Sequence, residues 1–371
     1  MSPEPQPIAA RLAREIAAHR LEFDSSQAQA AVRLDELRVK LLAQSRSLIY
    51  QLRARLPWLP DLPAAAPIRG VYLWGGVGRG KTLLMDFFYE SLRPRLAQRT
   101  HFYRFMREVH LKLRSIKNRT DPLDVAAERL AARAQVICLD EFFVSDIADA
   151  MILAGLFEGL FQRGVTLVAT SNIPPQDLYK DGLQRQRFLP AIDLLEAHLD
   201  VVQLDGSIDY RLRQLEQAPT YLDSTLTGTP AKLAQRFAAL AGGGALGPAV
   251  LSVEDRPIAA RATGAGMVWF DFKELCEGPR SQNDYIEIAR VYHTVFLSNI
   301  PEFRSGDDDA ARRFIMLIDE FYDRNVNVVV SAAAAPAALY HGDALQMEFS
   351  RAASRLVEMQ TQAYLARQHR P

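Results

Sequence analysis

The pattern of hydrophobic and polar positions divides the chain into helical and strand-like segments. From about residue 7 to residue 56, apolar side chains such as Leu34, Leu37 and Leu41 recur at helical spacing. The stretch "LPWLPDLPAAAP" then contains four prolines, which end any helix. The pattern therefore predicts a helical N-terminal region followed by a linker.

Short apolar runs alternate with helical segments in the next part of the chain. These runs are "VYLW", "HFYRF", "VICL", "TLVAT" and "DVVQL". Strands that alternate with helices are typical of a parallel sheet with helices on both faces. We therefore expect an α/β fold with a doubly wound, five-stranded parallel sheet.

The C-terminal part has a different pattern, which predicts an α+β region. Residues 221–247 are rich in Thr, Ala and Gly and predict a boundary or a small lid. The stretch "AVLSVEDRPIAARATGAGMVWFDF" predicts a β-hairpin with glycines in its turn region. Two helix–strand units and a final helix over about residues 348–367 complete the chain.

Two distant stretches share a pattern. "LFQRGVTLVATSNIPPQDLY" and "EFYDRNVNVVVSAAAAPAALY" have Arg, Val, Pro, Leu and Tyr at one offset, which is 161 residues (Arg324 minus Arg163). A duplicated sheet unit would explain this pattern, but any amphipathic helix that leads into a buried strand gives a similar one. We favour the second interpretation, because a repeat is expected to recur over a longer stretch.

Composition excludes several classes of protein. Lys plus Arg and Asp plus Glu number 44 each, so no global charge favours nucleic acid or an anionic membrane. No run approaches the ~18 apolar residues of a membrane-spanning helix, and the N-terminus lacks the apolar core of a signal peptide. Cys138 and Cys276 lie in apolar surroundings, which suggests buried, reduced thiols. We expect a cytoplasmic protein.

The strongest chemical signal is "GGVGRGKT", which lies between the run "VYLW" and the helical segment "LLMDFFYESL". It is the Walker A pattern, in which backbone N–H groups of a Gly-rich loop surround phosphates. We expect Lys81 to bind the β- and γ-phosphates of ATP and Thr82 to bind Mg²⁺ through its hydroxyl. The predicted nucleotide loop consists of Gly75, Gly76, Val77, Gly78, Arg79, Gly80, Lys81 and Thr82.

A second signal is "VICLDEFF", an apolar run that ends in two carboxylates. Asp140 at the end of a buried strand needs a partner, and Mg²⁺ is a natural one, which makes this a Walker B motif. Glu141 is then placed to polarise a water for attack on the γ-phosphate. A pair of carboxylates favours ATP hydrolysis over a kinase, because a kinase must exclude water.

The tetrapeptide "SNIP" occurs twice, at residues 171–174 and 298–301. The first copy follows the strand that comes next after the Asp140 strand, so Asn172 is expected to face the nucleotide and bind the attacking water or the γ-phosphate. The second copy has no phosphate loop near it in the sequence. We expect Asn299 to be a strand end turned by Pro301.

The stretch "DGLQRQRFLPAIDLL" contains two arginines near the start of a predicted helix. An Arg here can reach the γ-phosphate of a neighbouring subunit and stabilise charge in the transition state. A surface Arg pair is the alternative. Of Arg185 and Arg187, we favour Arg185.

Several longer blocks resemble a known family. The blocks "GVYLWGGVGRGKTLLMDFFYESL", "ICLDEFFVSDIADAMIL", "VATSNIPPQDLYKDGLQRQRFLPAI", "FDFKELC" and "EFSRAASRLVEMQ" are similar to those of the ZapE cell-division ATPases and their mitochondrial relatives. The resemblance runs from about residue 20 to about residue 365. This family belongs to the AAA+ P-loop ATPases.

The resemblance implies a function and an assembly. AAA+ members form rings or loose oligomers and place an Arg at the neighbouring site, which supports Arg185. Bacterial members associate with the division ring and act on FtsZ polymers in an ATP-dependent way. The implied division is an N-terminal helical region and linker (1–60), an AAA+ core (61–220) and a lid-like segment with a C-terminal α+β domain (221–371).

Other residues have two interpretations each. In "FDSSQAQ", Gln27 is suited to read adenine, whereas Asp24 is suited to cap a helix. Arg211 fits a second phosphate sensor or a salt bridge. Arg351 and Arg355 fit another site or a charged helix face. "FYRFM" (102–106) fits a substrate-gripping loop or, more simply, a buried strand end.

Three functions are compatible with these motifs. The leading hypothesis is an oligomeric ATPase, with ATP and Mg²⁺ as ligands, that remodels FtsZ or another division-ring protein. A nucleotide-dependent scaffold with slow turnover is the first alternative. A nucleic-acid remodeller similar to helicase loaders is the second, and its only local support is the basic segment "HLKLRSIKNR" (110–119).

Overall fold

The protein is described by a computed structural model over residues 6–18, 23–46, 68–76, 78–92, 96–116, 121–205, 215, 219–241, 247–264 and 266–370. The chain forms two compact units, residues 1–207 and residues 208–371. The predicted linker "LPWLPDLPAAAP" lies outside the described residues.

The N-terminal helical region contains two helices, α1 (Ile8–Ala17) and α2 (Ser25–Arg46). Their buried side chains belong to one core cluster with strand residues of the first unit, and they include Ile8, Leu12, Leu34, Leu37 and Leu41. The two helices are also joined at a helix end, because the Asp35 carboxylate accepts the N–H groups of Ile8 and Ala9 at 2.8 and 2.9 Å. A side chain of α2 therefore caps α1.

The first unit contains the predicted five-stranded sheet. Its strands are β1 (Gly70–Trp74), β2 (Ala97–His101), β3 (Val136–Asp140), β4 (Thr166–Ser171) and β5 (Leu199–Gln203). They are ordered β2-β3-β4-β1-β5 and all neighbouring pairs are parallel. The further helices are α3 (Lys81–Ser91), α4 (Phe102–Ser115), α5 (Pro122–Ala131), α6 (Ile147–Gln162) and α7 (Leu189–His198).

Helices cover both faces of this sheet. Successive residues of β1 enter different core clusters, because Tyr72 packs in one while Val71 and Leu73 pack in the other. This alternation follows from the two-residue period of a strand. The prediction of a doubly wound parallel sheet is confirmed.

The prediction for the second strand was wrong. "HFYRF" is not a strand: β2 ends at His101, and α4 begins at Phe102. Phe102, Phe105 and Met106 are buried in the core at helical spacing. The segment "FYRFM" is therefore neither a pore loop nor a strand end but the first turns of a helix.

The second unit is also built on a five-stranded sheet. The strands described in this unit, in the sheet and in a separate hairpin, are β6 (Tyr221–Asp223), β7 (Ala249–Val253), β8 (Arg256–Ala260), β9 (Ala262–Gly264), β10 (Met267–Asp271), β11 (Thr294–Ile300) and β12 (Asn327–Ala332). The order is β6-β12-β11-β10-β9, in which only β9 is antiparallel to its neighbour, and β7 and β8 form a separate hairpin. The helices are α8 (Thr229–Ala241), α9 (Gln282–Val291), α10 (Asp308–Asp323), α11 (Gln346–Glu358) and α12 (Gln362–Leu365).

The predicted hairpin with glycines in its turn region is confirmed, because β9 and β10 are antiparallel and Gly264 and Gly266 lie at their connection. The same stretch also forms a second hairpin, β7–β8, which turns at Glu254 and Asp255, and their φ angles of 47° and 59° suit a two-residue turn. The predicted final helix is interrupted after Glu358, because the Thr361 hydroxyl caps a separate helix, α12, at Tyr364 N–H.

Among the described residues, no helix is both long enough and apolar enough to cross a membrane. Cys138 and Cys276 are both buried and free, as predicted, and burial raises the pKa of each thiol.

The cap on α1 leads to a prediction. Asp35→Ala removes the acceptor of two helix N–H groups, and we expect it to destabilise α1 by ~0.5–2 kcal/mol. Faster amide hydrogen exchange within α1 should report this loss. The matched control is Glu36→Ala, because Glu36 forms an exposed pair with Arg33 at 3.1 Å, which contributes little to stability. Equal exchange in the two variants would contradict the assigned cap.

Candidate active site

The predicted phosphate loop joins β1 to α3. Gly80 immediately precedes α3 with a left-handed φ of 82°. A Cβ at this position would lie 2.9 Å from Gln27 Nε2, so the site needs glycine for conformation and for space. Gln27 is buried and donates to the carbonyl of Arg79 at 3.1 Å. Val77 lies outside the described residues.

Lys81 is the first residue of α3 and is held against the loop. Its ammonium donates to the carbonyl oxygens of Gly75 and Gly76, both at 2.6 Å. Gly75 N–H in turn donates to Ser171 O at 3.2 Å, which ties the loop to the end of β4. The positive charge therefore lies beside the N-terminus of a helix, and both features favour a bound anion.

The strand order brings the other predicted residues to the same edge of the sheet. β4 lies between β1 and β3, and parallel strands end at one edge. Asp140 is the last residue of β3 and Asn172 directly follows β4. The sequence therefore predicted correctly that the strand before Asn172 lies beside the strand before Glu141.

The ends of β3 and β4 are joined by three hydrogen bonds. Glu141 N–H donates to Thr170 Oγ1 at 3.1 Å, and Phe142 N–H donates to Thr170 O at 2.7 Å. The Ser171 hydroxyl donates to Phe142 O at 2.7 Å. Together they fix the backbone on both sides of Glu141.

Glu141 has a left-handed backbone with a φ of 52°. For a residue other than glycine this conformation costs of order 1–3 kcal/mol and is concentrated at functional sites. It ends the extended path of β3 directly after Asp140, so the side chain of Glu141 no longer follows the strand's alternation. The hydrogen bond to Thr170 compensates part of this cost.

Arg99 on β2 is a charged component of the site that the sequence did not reveal. Its guanidinium donates to both carboxylate oxygens of Asp140, at 2.7 and 3.3 Å, and it also forms an ion pair with Asp86. Asp86 lies on α3, four residues after Thr82, on the same face of that helix. Arg99 therefore connects the Walker B carboxylate to the helix that follows the phosphate loop.

Burial and the three charges shift the pKa values of this cluster. Burial disfavours the charged form of Arg99, but Asp140 and Asp86 outweigh it, and the pKa of Arg99 is raised. Burial raises the pKa of Asp86, although Arg99 opposes this shift. Burial also lowers the pKa of His101 to about 4, so this imidazole is neutral near pH 7. Arg99, and not His101, is thus the cation next to Asp140.

The residues present fit a magnesium ion. Among the described residues, no group of three or more His, Cys, Asp or Glu side chains is arranged to hold a metal by itself. Mg²⁺ prefers oxygen ligands and is commonly held by one or two protein groups together with water and phosphate oxygens. The Thr82 hydroxyl and the Asp140 carboxylate are ligands of this kind.

The predicted arginine finger lies in a short 3₁₀ turn, Arg185–Arg187, just before α7. Arg185 is half-buried and donates to Gln176 O at 2.5 Å, whereas Arg187 is exposed. Gln184 precedes the turn with a left-handed φ of 58°, and Phe188 follows it fully buried. The backbone on both sides of Arg185 is thus tightly constrained.

The remaining candidates have structural contacts. Asp24 caps α2, because its carboxylate accepts the N–H groups of Ser26 and Gln27 at 2.8 and 3.2 Å. Arg351 and Arg355 both bind Asp319, at 2.7 and 2.6 Å, as expected of a charged helix face. Arg211 lies outside the described residues, as do residues 117–119 of the basic segment 110–119.

Known proteins resemble this chain in sequence over most of its length. The Escherichia coli (strain K12) protein named cell division protein ZapE is 50% identical over 303 residues, which cover 82% of this chain and 81% of that protein. The Danio rerio protein named lactation elevated protein 1 homolog B is 38% identical over 344 residues, which cover 80% and 68%. A solved DnaI structure is 17% identical with a TM-score of 0.30, covering 43% of this chain and 83% of that one, too weak a likeness to support any argument.

The resemblance found in the motif blocks is therefore confirmed. A family model described as AFG1-like ATPase matches residues 7–368, nearly the whole chain. The chain belongs to the AFG1-like ATPase family and is an ATPase.

Proposed function

We propose that the site at the end of β1, β3 and β4 binds ATP and hydrolyses it to ADP and phosphate. One observation carries this proposal: the strand order brings the loop ending in Lys81, the carboxylates of Asp140 and Glu141, and Asn172 to one edge of the sheet. Residues 75–82 bind the phosphates, and Lys81 neutralises the β- and γ-phosphates.

The residues of the site divide the chemistry among them. Thr82 and Asp140 hold Mg²⁺, which neutralises charge on the phosphates when it is bound. Arg99 fixes the orientation of Asp140 through its two hydrogen bonds. Arg99 is thus a positioning residue, because it acts through Asp140.

Glu141 acts as the general base. Its carboxylate accepts a proton from water, the water oxygen bonds to the γ-phosphorus, and the oxygen bridging the β- and γ-phosphates leaves with ADP. Asn172 donates to the water or to a γ-phosphate oxygen and so orients the attack. Asp140 is paired with Arg99 and is assigned to Mg²⁺, whereas Glu141, the next residue, is assigned to the water.

Arg185 acts on the nucleotide of a neighbouring subunit. Its turn is anchored by the buried Phe188. This role requires self-association into a ring or a loose oligomer, in which each subunit completes the next one's site. Arg211 as a second phosphate sensor, and the division at about residues 60 and 220, stay predictions.

The physiological activity we propose is ATP-dependent remodelling of a cell-division protein in the cytoplasm, with FtsZ polymers as the partner. The support is the 50% identity to the protein named cell division protein ZapE over four fifths of both chains. The experiment is to measure phosphate release and FtsZ light scattering together. ATP should lower the scattering, and FtsZ polymers should raise phosphate release. Loss of scattering with a Lys81→Ala variant would contradict the ATP-driven step.

The role of Glu141 gives a second prediction. Glu141→Gln keeps the shape and the backbone N–H bonded to Thr170 but removes the base, so turnover should fall by ~10²–10⁴-fold. ATP binding should persist, and the nucleotide should remain bound as ATP. Rapid-quench measurement of phosphate release, beside equilibrium binding, tests both parts. Undiminished phosphate release would remove Glu141 from its assigned role.

The role of Arg185 gives a third prediction. Arg185→Ala should lower turnover by ~10³–10⁵-fold with ATP binding intact, because the transition-state charge loses its partner. Mixing Arg185→Ala subunits with Lys81→Ala subunits should restore part of the activity, since each supplies what the other lacks. Arg187→Ala is the matched control and should retain turnover. A mixture as inactive as its components would show that Arg185 does not act between subunits.

A further inference from the structure

The second unit repeats the strand order of the first. The segment β1-β4-β3-β2 of the first sheet corresponds to β6-β12-β11-β10 of the second, and all neighbours are parallel in both. The chain also visits the strands in the same sequence, from β1 through β2 and β3 to β4, and from β6 through β10 and β11 to β12. Both the order and the connections therefore recur, which a generic α/β sheet does not require.

The boundaries of the elements recur at one constant offset. With a shift of 161 residues (Arg324 minus Arg163), three elements of the first unit coincide with three of the second at both ends. They are α6 with α10, β4 with β12, and the 3₁₀ turn Pro175–Asp177 with Pro336–Ala338. The correspondence includes four strands of each five-stranded sheet, which is more than the sequence echo alone and favours the interpretation as a duplicated unit.

The same kind of side-chain hydrogen bond occurs in both units. The Tyr72 hydroxyl on β1 donates to Ile173 O at 3.0 Å, and the Tyr221 hydroxyl on β6 donates to Ala334 O at 2.7 Å. Ala334 corresponds to Ile173 at the same shift of 161 residues. This bond fixes the match between β1 and β6 at a shift of 149 residues (Tyr221 minus Tyr72).

The start of the following turn is also held in the same way. Gly75 N–H donates to Ser171 O at 3.2 Å, and Ser224 N–H donates to Ala332 O at 2.9 Å. Ser224 lies 149 residues after Gly75, and Ala332 lies 161 residues after Ser171, so both pairs agree with the shifts found above. The β6–α8 connection is therefore the counterpart of the phosphate loop.

The strand end that holds Glu141 has a counterpart as well. Asn299 has a left-handed φ of 65°, against 52° for Glu141. Asn299 N–H donates to Ser331 Oγ at 3.0 Å, as Glu141 N–H does to Thr170 Oγ1 at 3.1 Å. Asn299 thus corresponds to Glu141 and not to Asn172, although it lies in the second "SNIP".

The phosphate-binding groups are missing from the counterpart loop. At the shift of 149 residues, Lys81 corresponds to Pro230 and Thr82 to Ala231. The match holds through the helix, because Leu233 and Phe237 of α8 are buried as Leu84 and Phe88 of α3 are, each pair at this shift. Proline has neither an ammonium nor an N–H, and alanine has no hydroxyl for a metal.

The turn itself is closed by its own side chains. The Asp223 carboxylate accepts the N–H and the hydroxyl of Thr225 at 2.8 and 2.6 Å, and the Thr229 hydroxyl donates to Asp223 O at 2.5 Å. A carboxylate thus occupies the start of the turn, where it repels phosphate.

The strand ends have also lost the catalytic groups. Leu297 pairs with Val330 as Leu139 pairs with Ala169, so the next residue, Ser298, matches Asp140 and has a hydroxyl in place of its carboxylate. Asn299 replaces the base, and its amide donates to Asp271 at 2.9 Å. The counterpart of Asn172 is Ala333.

We propose that residues 221–358, the second copy, are a duplicate of the P-loop core in which the phosphate loop and the catalytic side chains have been replaced. Each chain accordingly binds one nucleotide, in its first unit, and the second copy contributes a sheet without nucleotide chemistry. The count of one rests on the proposed function of the first unit.

The first experiment counts nucleotides on the full chain. Equilibrium dialysis with a non-hydrolysable ATP analogue and Mg²⁺ should give one bound nucleotide per chain, and none for Lys81→Ala. Pro230→Ala is the matched variant and should still bind one. Two nucleotides bound to the wild type, or one bound to Lys81→Ala, would overturn the proposal that the second copy binds no nucleotide. No binding to the wild type would instead remove the proposed site of the first unit and the count with it.

The second experiment compares the two matched hydroxyl groups. Thr170→Ala and Ser331→Ala each remove the acceptor of a left-handed residue's N–H, so both should lower the thermal midpoint. Only Thr170→Ala should lower turnover, by up to ~10²-fold, because it releases Glu141 from its position. Turnover that falls equally in the two variants, at equal folded fraction, would overturn the proposal.

Discussion

The position of β4 between β1 and β3 is the constraint on which the site depends. Its last residues bind both neighbours: Ser171 accepts from the start of the phosphate loop, and Thr170 accepts from Glu141. Because these are short backbone and hydroxyl bonds, the loop and the carboxylates cannot move apart without breaking them. Hydrogen bonds between strand ends therefore hold the start of the phosphate loop and the carboxylates in place.

Charge balance is the second requirement. Asp140 is only 5% exposed, and a buried carboxylate is unstable without a partner. Arg99 supplies that partner and also binds Asp86, so one guanidinium is paired with two carboxylates of two different elements. The charge-assisted hydrogen bonds of Arg99 therefore connect α3, the helix after the phosphate loop, to the end of β3.

The two units show that this framework does not depend on the chemistry it carries. Tyr72 and Tyr221 make the same bond, and the kinks at Glu141 and Asn299 have the same support. The groups that we assign to the nucleotide lie in the first unit. The hydrogen bonds stabilise a strand order, whereas side chains at the strand ends determine function, so one fold accommodates an active site and, in our proposal, a copy without nucleotide chemistry.

The elements whose signal is local could be predicted from the sequence alone. The loop around Lys81, the strand before Asp140 and the parallel sheet follow from glycine spacing and apolar runs over a few residues. The start of α4 at Phe102 was missed because a short aromatic run fits a strand as well as a helix. Two features became visible in the three-dimensional structure: Arg99 binds Asp140, 41 residues away, and Asn299 corresponds to Glu141. Both depend on which residues of distant strands lie side by side, and that register is set by packing of the whole sheet.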